Sequence, residues 1–119
     1  MPSRILREGL LDSDAVGQVS PGAEMLFVRL LLLADDFGRY DGRVSVICRR
    51  AFVNRRTVDD HMTGEWLGEL ADAGLLELYD VEGREFLQVC NFRQRTRQKV
   101  SKFPEPTHMN QALSGKDDG

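Results

Sequence analysis

The sequence predicts a mainly α domain with a small β-hairpin: a three-helix core followed by a two- or three-stranded antiparallel wing. Apolar residues recur at helical spacing in three stretches, near 20–35, 45–53 and 57–73. Gly74 follows the third stretch, where a helix C-terminus favours a residue in the left-handed conformation. Two strand-like runs within 75–90 then flank a glycine-containing turn. A chain of 119 residues supports one domain with a modest core.

The first helix has the clearest start signal in the chain. Ser20 supplies a capping hydroxyl, and Pro21 fits the first helical position because it needs no amide hydrogen there. Residues 5–19 before it are predicted to form an extended arm, with a short helical turn from Ser13 to Val16. The segment Asp35–Gly42 after it is dense in turn-forming residues and predicts a helix end followed by a turn.

The second and third helices form a helical hairpin. Ser45 is predicted to cap the second helix, and Thr57 with Asp60 resembles a capping box at the start of the third. Trp66 lies on the apolar stripe of the third helix, so we expect it to meet Phe27 of the first helix in the core rather than to stack on a base.

The order of these elements, a helical hairpin followed directly by a two-stranded ribbon, is that of a winged helix-turn-helix. Together with the motifs Ser20-Pro21, Ala34-Asp35-Asp36-Phe37-Gly38-Arg39, Leu70-Ala71-Asp72-Ala73-Gly74-Leu75 and Ser101-Lys102-Phe103-Pro104, this order resembles the winged-helix domains at the N-termini of phage replication-initiation and replisome-organiser proteins, over roughly residues 3 to 104. The resemblance implies sequence-specific or structure-specific DNA binding without catalysis. Members often carry a His-Gln pair after the final strand, where this chain has Phe92-Arg93-Gln94-Arg95.

Positively charged residues are concentrated in two segments of the chain. The formal net charge is −3, yet ten of the sixteen Lys and Arg residues lie in two windows without acids, 43–57 and 90–103. A basic surface of this kind favours an anionic partner, most often a phosphate backbone, although solvated surface charge placed by chance is the alternative. The predicted DNA contacts are Arg49, Arg50, Arg55, Arg56, Thr57, Arg93, Arg95, Arg97, Lys99 and Lys102.

The two windows suit DNA differently. In a helix-turn-helix the N-terminal tip of the second helix leads into the major groove, which here would also bring Asp59, Asp60 and Thr63 to the DNA. Five acids give the body of that helix a charge of −5, so only its tip could insert. The four cations between Arg93 and Lys99 alternate with neutral residues, so in an extended chain they would form a cationic rail with a spacing of roughly 6.6 to 6.8 Å. The alternative is a solvated tail.

Other classes of function find little support. No phosphate-binding glycine loop or nucleophile–base spacing appears, so we expect neither an enzyme nor a cofactor. Cys48 and Cys90 with the two histidines lack the paired spacing of a zinc site, so we expect no metal and interpret both cysteines as small core residues. Phe92 and Phe103 are the better candidates for base stacking, although strand-end packing is the stronger interpretation of Phe92. Residues 1–103 form the predicted domain, and 104–119 a disordered tail or linker.

The sequence therefore predicts a DNA-binding domain of a phage-type replication-initiation or regulatory protein. The sequence does not decide whether the target is duplex or single-stranded DNA, or whether the protein is a monomer or a homodimer. The alternative is a winged helix that contacts a replication protein partner through its acidic helix. No signal peptide or membrane-length apolar run is visible, so we expect a cytoplasmic protein.

Overall fold

The computed structural model describes residues 4–92 and 100–106, and over these residues the chain is mixed α/β. In the arm that was predicted to be extended, residues Glu8–Asp12 form a 3-10 helix directly before the first α-helix. The helices are α1 Asp14–Gly17, α2 Pro21–Leu33, α3 Val44–Ala51 and α4 Asp60–Asp72, and the strands are β1 Arg39–Asp41, β2 Leu76–Val81 and β3 Arg84–Val89. The strands form one antiparallel sheet in the order β1-β3-β2.

The predicted starts of α1 and α2 are confirmed. The side chain of Ser13 accepts a hydrogen bond from the backbone N–H of Val16, which closes the predicted helical turn. The side chain of Ser20 accepts from the N–H of Ala23, and Pro21 occupies the first position of α2. In both helices a short hydroxyl side chain therefore satisfies one of the unpaired N–H groups of the first turn.

The predicted caps of α3 and α4 are wrong. Helix α3 begins at Val44, one residue before Ser45, and Arg43 at its N-cap makes no side-chain capping bond. Helix α4 is capped by Asp59, whose carboxylate accepts from the N–H of Met62 at 2.9 Å, rather than by Thr57. Asp59 has an extended backbone, with φ −113° and ψ 179°, so the helix begins only after it.

The predicted hairpin within 75–90 is present as β2 and β3, and the turn joining them has positive φ at Glu82 and Gly83. Two positive-φ residues in a two-residue loop match the right-handed twist of the strands. The segment predicted only as a turn, Asp35–Gly42, ends in strand β1, which pairs with β3. Three residues are too short to show the alternation by which a strand is recognised in a sequence.

The core lies between the helices and one face of the sheet. It contains Leu26 and Leu30 of α2, Leu67 and Leu70 of α4, and Leu87 of β3, each no more than 2 % exposed. The two cysteines follow the prediction in part, since Cys48 is buried and Cys90 half-buried. Burial raises the pKa of the Cys90 thiol, so that thiol stays protonated near neutral pH.

Trp66 occupies the boundary of the core rather than its centre. Phe27 is buried as predicted, but Trp66 is only half-buried. Its ring packs edge-on against Phe52, with the ring centroids 5.7 Å apart, and covers Gly22 of α2. A Cβ atom at Gly22 would lie 2.3 Å from the indole, so α2 and α4 can approach this closely only because that position is glycine.

Residues 100–106 return to the sheet. The ring of Phe103 packs near Tyr40 and Phe86, with centroids 5.9 and 6.2 Å away, and Pro106 is buried. The hydroxyl of Tyr79 donates to the carbonyl of Pro104, and burial raises the pKa of Tyr79 to about 12, which keeps that donor protonated. The first three residues of the predicted tail therefore pack on the domain, whereas 107–119 lie outside the described residues.

None of the helices found in residues 4–92 combines the length and the apolar character needed to cross a membrane.

Candidate nucleic-acid interface

The connection between α3 and α4 presents the predicted helix-turn-helix tip. Phe52 and Val58 anchor it from within, at 4 % and 9 % exposure, and the Cys48 thiol lies 3.6 Å from the Val58 carbonyl oxygen. The residues between these anchors point outward, and Arg55, Arg56 and Thr57 are all exposed, as the sequence predicts.

Arg29 of α2 holds this connection in place. Its guanidinium donates to the Ala51 carbonyl at 2.7 Å and to Oδ1 of Asn54 at 2.9 Å, and it lies over the Phe52 ring, 5.2 Å from the centroid. The sequence did not assign this role. The signal available was a single cation inside the longest apolar run of the chain, where a charge is unfavourable unless it is bonded.

The end of α3 adds two more exposed cations. Arg49 and Arg50 lie in its last turn, where positive charge complements the helix dipole. Within residues 4–92 and 100–106, neither they nor Arg55 and Arg56 form an ion pair. Their charges are therefore not neutralised by a direct partner in the described part of the chain.

Arg43, the first cation of this window, is different. Its guanidinium donates to both carboxylate oxygens of Asp41, with the closest contact at 2.7 Å. This hydrogen bonding, the largest influence, lowers the pKa of Asp41 below its usual range. Arg43 thus stabilises the end of β1, and only the other four cations of the window have no acidic partner in the described residues.

The two basic windows meet beside the end of α2. Arg50 of the first window and Lys102 of the second line one open groove of about 450 Å³, whose wall includes Tyr40 and Phe103. Cations separated by half the chain are thereby brought to one surface. This proximity of the two windows could not be deduced from either window alone.

Two acids, Asp35 and Asp36, also line this groove, but both have internal partners. Asp36 is 8 % exposed and pairs with Arg4 at 3.3 Å. Asp35 accepts hydrogen bonds from the N–H groups of Phe37 and Arg39 and from the hydroxyl of Ser101. Their negative charge is therefore partly offset by these donors, whereas Arg50 and Lys102 are exposed.

The predicted rail of Arg93, Arg95, Arg97 and Lys99 lies outside the described residues. The residues on either side of it are described. Phe92 lies against Gly38, since a Cβ atom there would be 2.8 Å from its side chain, and Ser101 is bonded to Asp35. Both flanks of the rail are thus fixed on the same turn, between α2 and β1.

Two predicted contacts need correction, and the interpretation of a third residue is confirmed. Thr63 is fully buried, and its hydroxyl donates to the Asp59 carbonyl at 2.9 Å, so it cannot reach DNA. Phe103 packs on Tyr40 and Phe86 instead of standing free for stacking. Phe92 is half-buried against the core, which agrees with the strand-end packing that the sequence favoured.

The acidic body of α4 divides into structural and exposed carboxylates. Glu69 accepts from both the N–H and the hydroxyl of Ser20, at 2.7 and 2.8 Å, and so joins α4 to the first turn of α2. Asp60, Glu65 and Asp72 remain exposed. The outward side of α4 is therefore acidic, as the sequence predicts, and this disfavours its insertion into a DNA groove.

A comparison with protein-family models, curated proteins and solved structures finds nothing that matches this chain.

Proposed function

We propose that this chain is a non-enzymatic DNA-binding domain that contacts phosphates through the exposed cations of α3, the α3–α4 connection and the segment after the sheet. One observation carries the proposal: Arg50 and Lys102, from separate basic windows, line one groove whose acids are bonded internally. Phosphates are the commonest partner of such a surface.

We also assign the fold to the winged helix-turn-helix class. The assignment is supported by a helix, a short strand, a helical hairpin and a two-stranded ribbon in that order, with β1 paired to β3. In this assignment α4 is the recognition helix and the turn at Glu82 and Gly83 is the tip of the wing. The resemblance to phage replication-initiation and replisome-organiser domains makes a replication or regulatory role the working hypothesis.

The charge distribution favours phosphate contacts over base reading along α4. Only the exposed tip at Arg55, Arg56 and Thr57 is free of carboxylates, and the exposed Asp59 and Asp60 directly after it limit how far α4 can enter a groove. The wing tip is also acidic, because Asp80, Glu82 and Glu85 surround Arg84. Phosphate contacts position a protein on DNA but carry no sequence information directly, so affinity should vary little between sequences.

Fluorescence anisotropy with random duplex and single-stranded DNA, over a series of salt concentrations, tests the proposal. If Arg50 neutralises one phosphate, Arg50→Gln should reduce the slope of log affinity against log salt by about 0.9 for duplex or 0.7 for single strands. Arg84→Gln is the matched control, since it removes one exposed cation from the acidic wing tip, and its slope should not change. Equal slopes for Arg50→Gln and wild type would exclude Arg50 from the DNA surface.

The predicted rail provides a second arm of the same experiment. Replacing Arg93, Arg95, Arg97 and Lys99 together with Gln should reduce the salt slope by roughly 3 to 4 units if each contacts a phosphate. Unchanged affinity and salt dependence in this variant as well as in Arg50→Gln would favour the alternative, a protein-contact module. If only the rail variant is affected, the DNA surface lies after the sheet and not on α3.

A further inference from the structure

A second open groove, of about 460 Å³, lies between α4 and the hairpin and shares no lining residue with the groove of Arg50 and Lys102. It lies where the hairpin extends past the core. Leu76 is 2 % exposed, whereas Leu78, two residues further along the same face, is 44 % exposed. Val44 lines the groove beside Leu78, whereas the Phe86 ring packs with Tyr79 on the opposite face of the hairpin. The groove thus exposes apolar surface that the domain itself does not cover.

The α4 wall of this groove carries two glycines that the fold does not require. A Cβ atom at Gly68 would meet nothing within 4 Å, and one at Gly64 would make only ordinary contact with Val44 at 3.8 Å. Glycine inside a helix is unfavourable relative to alanine. By contrast, Gly42 is required by packing, because a Cβ there would lie 2.6 Å from the Phe86 backbone. The glycines of α4 therefore leave room for something outside the domain.

The hairpin wall ends in two carboxylates that face each other. Asp80 and Glu85 are direct cross-strand partners, and both line the groove. Like charges at such positions destabilise a hairpin. Asp80 accepts a hydrogen bond from the N–H of Gly83, and Glu85 interacts with Arg43, whose guanidinium is held by Asp41. In residues 4–92 and 100–106 neither carboxylate forms an ion pair.

We propose that this groove binds a basic amphipathic helix of a protein partner. A Lys or Arg of that helix lies between Asp80 and Glu85, where it relieves their repulsion, and its aliphatic face covers Leu78 and Val44. The missing side chains at Gly64 and Gly68, one helical turn apart, allow its backbone to approach α4 closely. The carboxylates repel phosphates, so this site is separate from the proposed DNA surface and does not depend on it.

The test uses the full chain and a model peptide of lysines and leucines with the leucines at helical spacing. Amide chemical shifts in NMR titrations should change around Gly64, Gly68 and Leu78. Asp80→Asn with Glu85→Gln should weaken peptide binding about tenfold or more, as expected on losing a charge-assisted contact. Glu65→Gln with Asp72→Asn removes the same amount of charge from the exposed part of α4 outside the groove. The affinity of this control variant for the peptide should change less than about twofold.

A second variant tests the groove by shape rather than by charge. Gly68→Leu fills the space next to α4 and should weaken the peptide about tenfold. Its melting temperature should be unchanged or higher, because a good helix former replaces glycine where nothing crowds the new side chain. Loss of peptide binding with an intact fold would assign the effect to the groove.

Several outcomes would overturn the proposal. One is equal weakening by the two charge-matched pairs, which would mean unspecific attraction to an acidic surface. Others are shift changes confined to another face, or no binding at millimolar peptide. Sedimentation of the chain alone should show no self-association through this groove. If the chain does self-associate and Gly68→Leu abolishes the association, the occupant is a second copy of this chain and not a basic partner.

Discussion

Two groups of arginines differ in what surrounds them. Arg4, Arg29, Arg39 and Arg43 belong to the N-terminal arm, α2, β1 and the residue before α3, and each is bonded to a carbonyl, an amide oxygen or a carboxylate of this chain. Arg49, Arg50, Arg55 and Arg56 belong to α3 and the connection after it, are exposed, and form no ion pair in the described residues. We call these the bonded and the exposed arginines.

The difference teaches that local cation density alone does not define a binding surface. Arg43 belongs to the same acid-free window as Arg50, yet its charge is used inside the domain by Asp41. Arg29 contributes differently, since it fixes the connection that displays Arg55 and Arg56. The bonded arginines thus build the framework from which the exposed ones project. Three substitutions test this division, in order of decreasing effect on stability.

Arg4→Ala should cause the largest loss of stability. The Arg4 side chain is 4 % exposed, donates to the Leu31 and Ala34 carbonyls at the end of α2, and pairs with buried Asp36. Its removal takes a cation from a buried carboxylate, and we expect a loss of about 3–5 kcal/mol in the free energy of unfolding. Urea denaturation at neutral pH measures it. A loss below about 1 kcal/mol would place Arg4 among surface charges instead.

The control for that variant is Arg4→Ala combined with Asp36→Leu. Replacing both members of a buried pair by apolar groups removes the uncompensated charge, so part of the lost stability should return. If the double variant is as unstable as the sum of the two single variants, Arg4 acts through its carbonyl contacts rather than through Asp36.

The Asp41–Arg43 pair should contribute less and should depend on pH. Arg43 is exposed, so solvent screens the pair and its contribution to stability is small. Because Arg43 lowers the pKa of Asp41, this stability is complete above the ordinary carboxyl pKa of about 3.9 and is lost as the pH falls through the lower pKa of the folded state. Arg43→Gln should therefore be less stable than wild type at pH about 7, and the difference should be smaller at pH about 2. A constant difference at both pH values would contradict the assignment.

Prediction from the sequence ends where an element depends on contacts between residues that are far apart in the chain. The sequence predicts helix α2 and the hairpin because Ser20-Pro21 and Gly83 determine the conformation of residues directly next to them. The contact of Glu69 with Ser20 joins residues 49 positions apart, and no local pattern encodes it. Strand β1 was missed for a related reason, since three residues become a strand only through their pairing with β3.

The candidate site also combines features that local sequence predicts with features that depend on distant contacts. The exposure of Arg55, Arg56 and Thr57 could be predicted, because the apolar residues around them must face the core. The meeting of Arg50 with Lys102 could not, because it depends on how residues 100–106 return across the sheet. Partial burial of Trp66 was also beyond the sequence, since an apolar stripe gives the direction of a side chain but not its depth.

The exposed arginines should have the smallest effect on stability. Arg49→Gln with Arg50→Gln should change the free energy of unfolding by no more than about 0.5 kcal/mol, because neither side chain has an ion-pair partner in the described residues. Urea denaturation of this variant, beside Arg4→Ala, measures both groups under one condition. A loss above about 1 kcal/mol would show that these cations also stabilise the framework, and reduced DNA binding in Arg50→Gln could then reflect an altered fold. Stability close to that of wild type would instead assign any change in salt slope to lost contacts with the DNA itself.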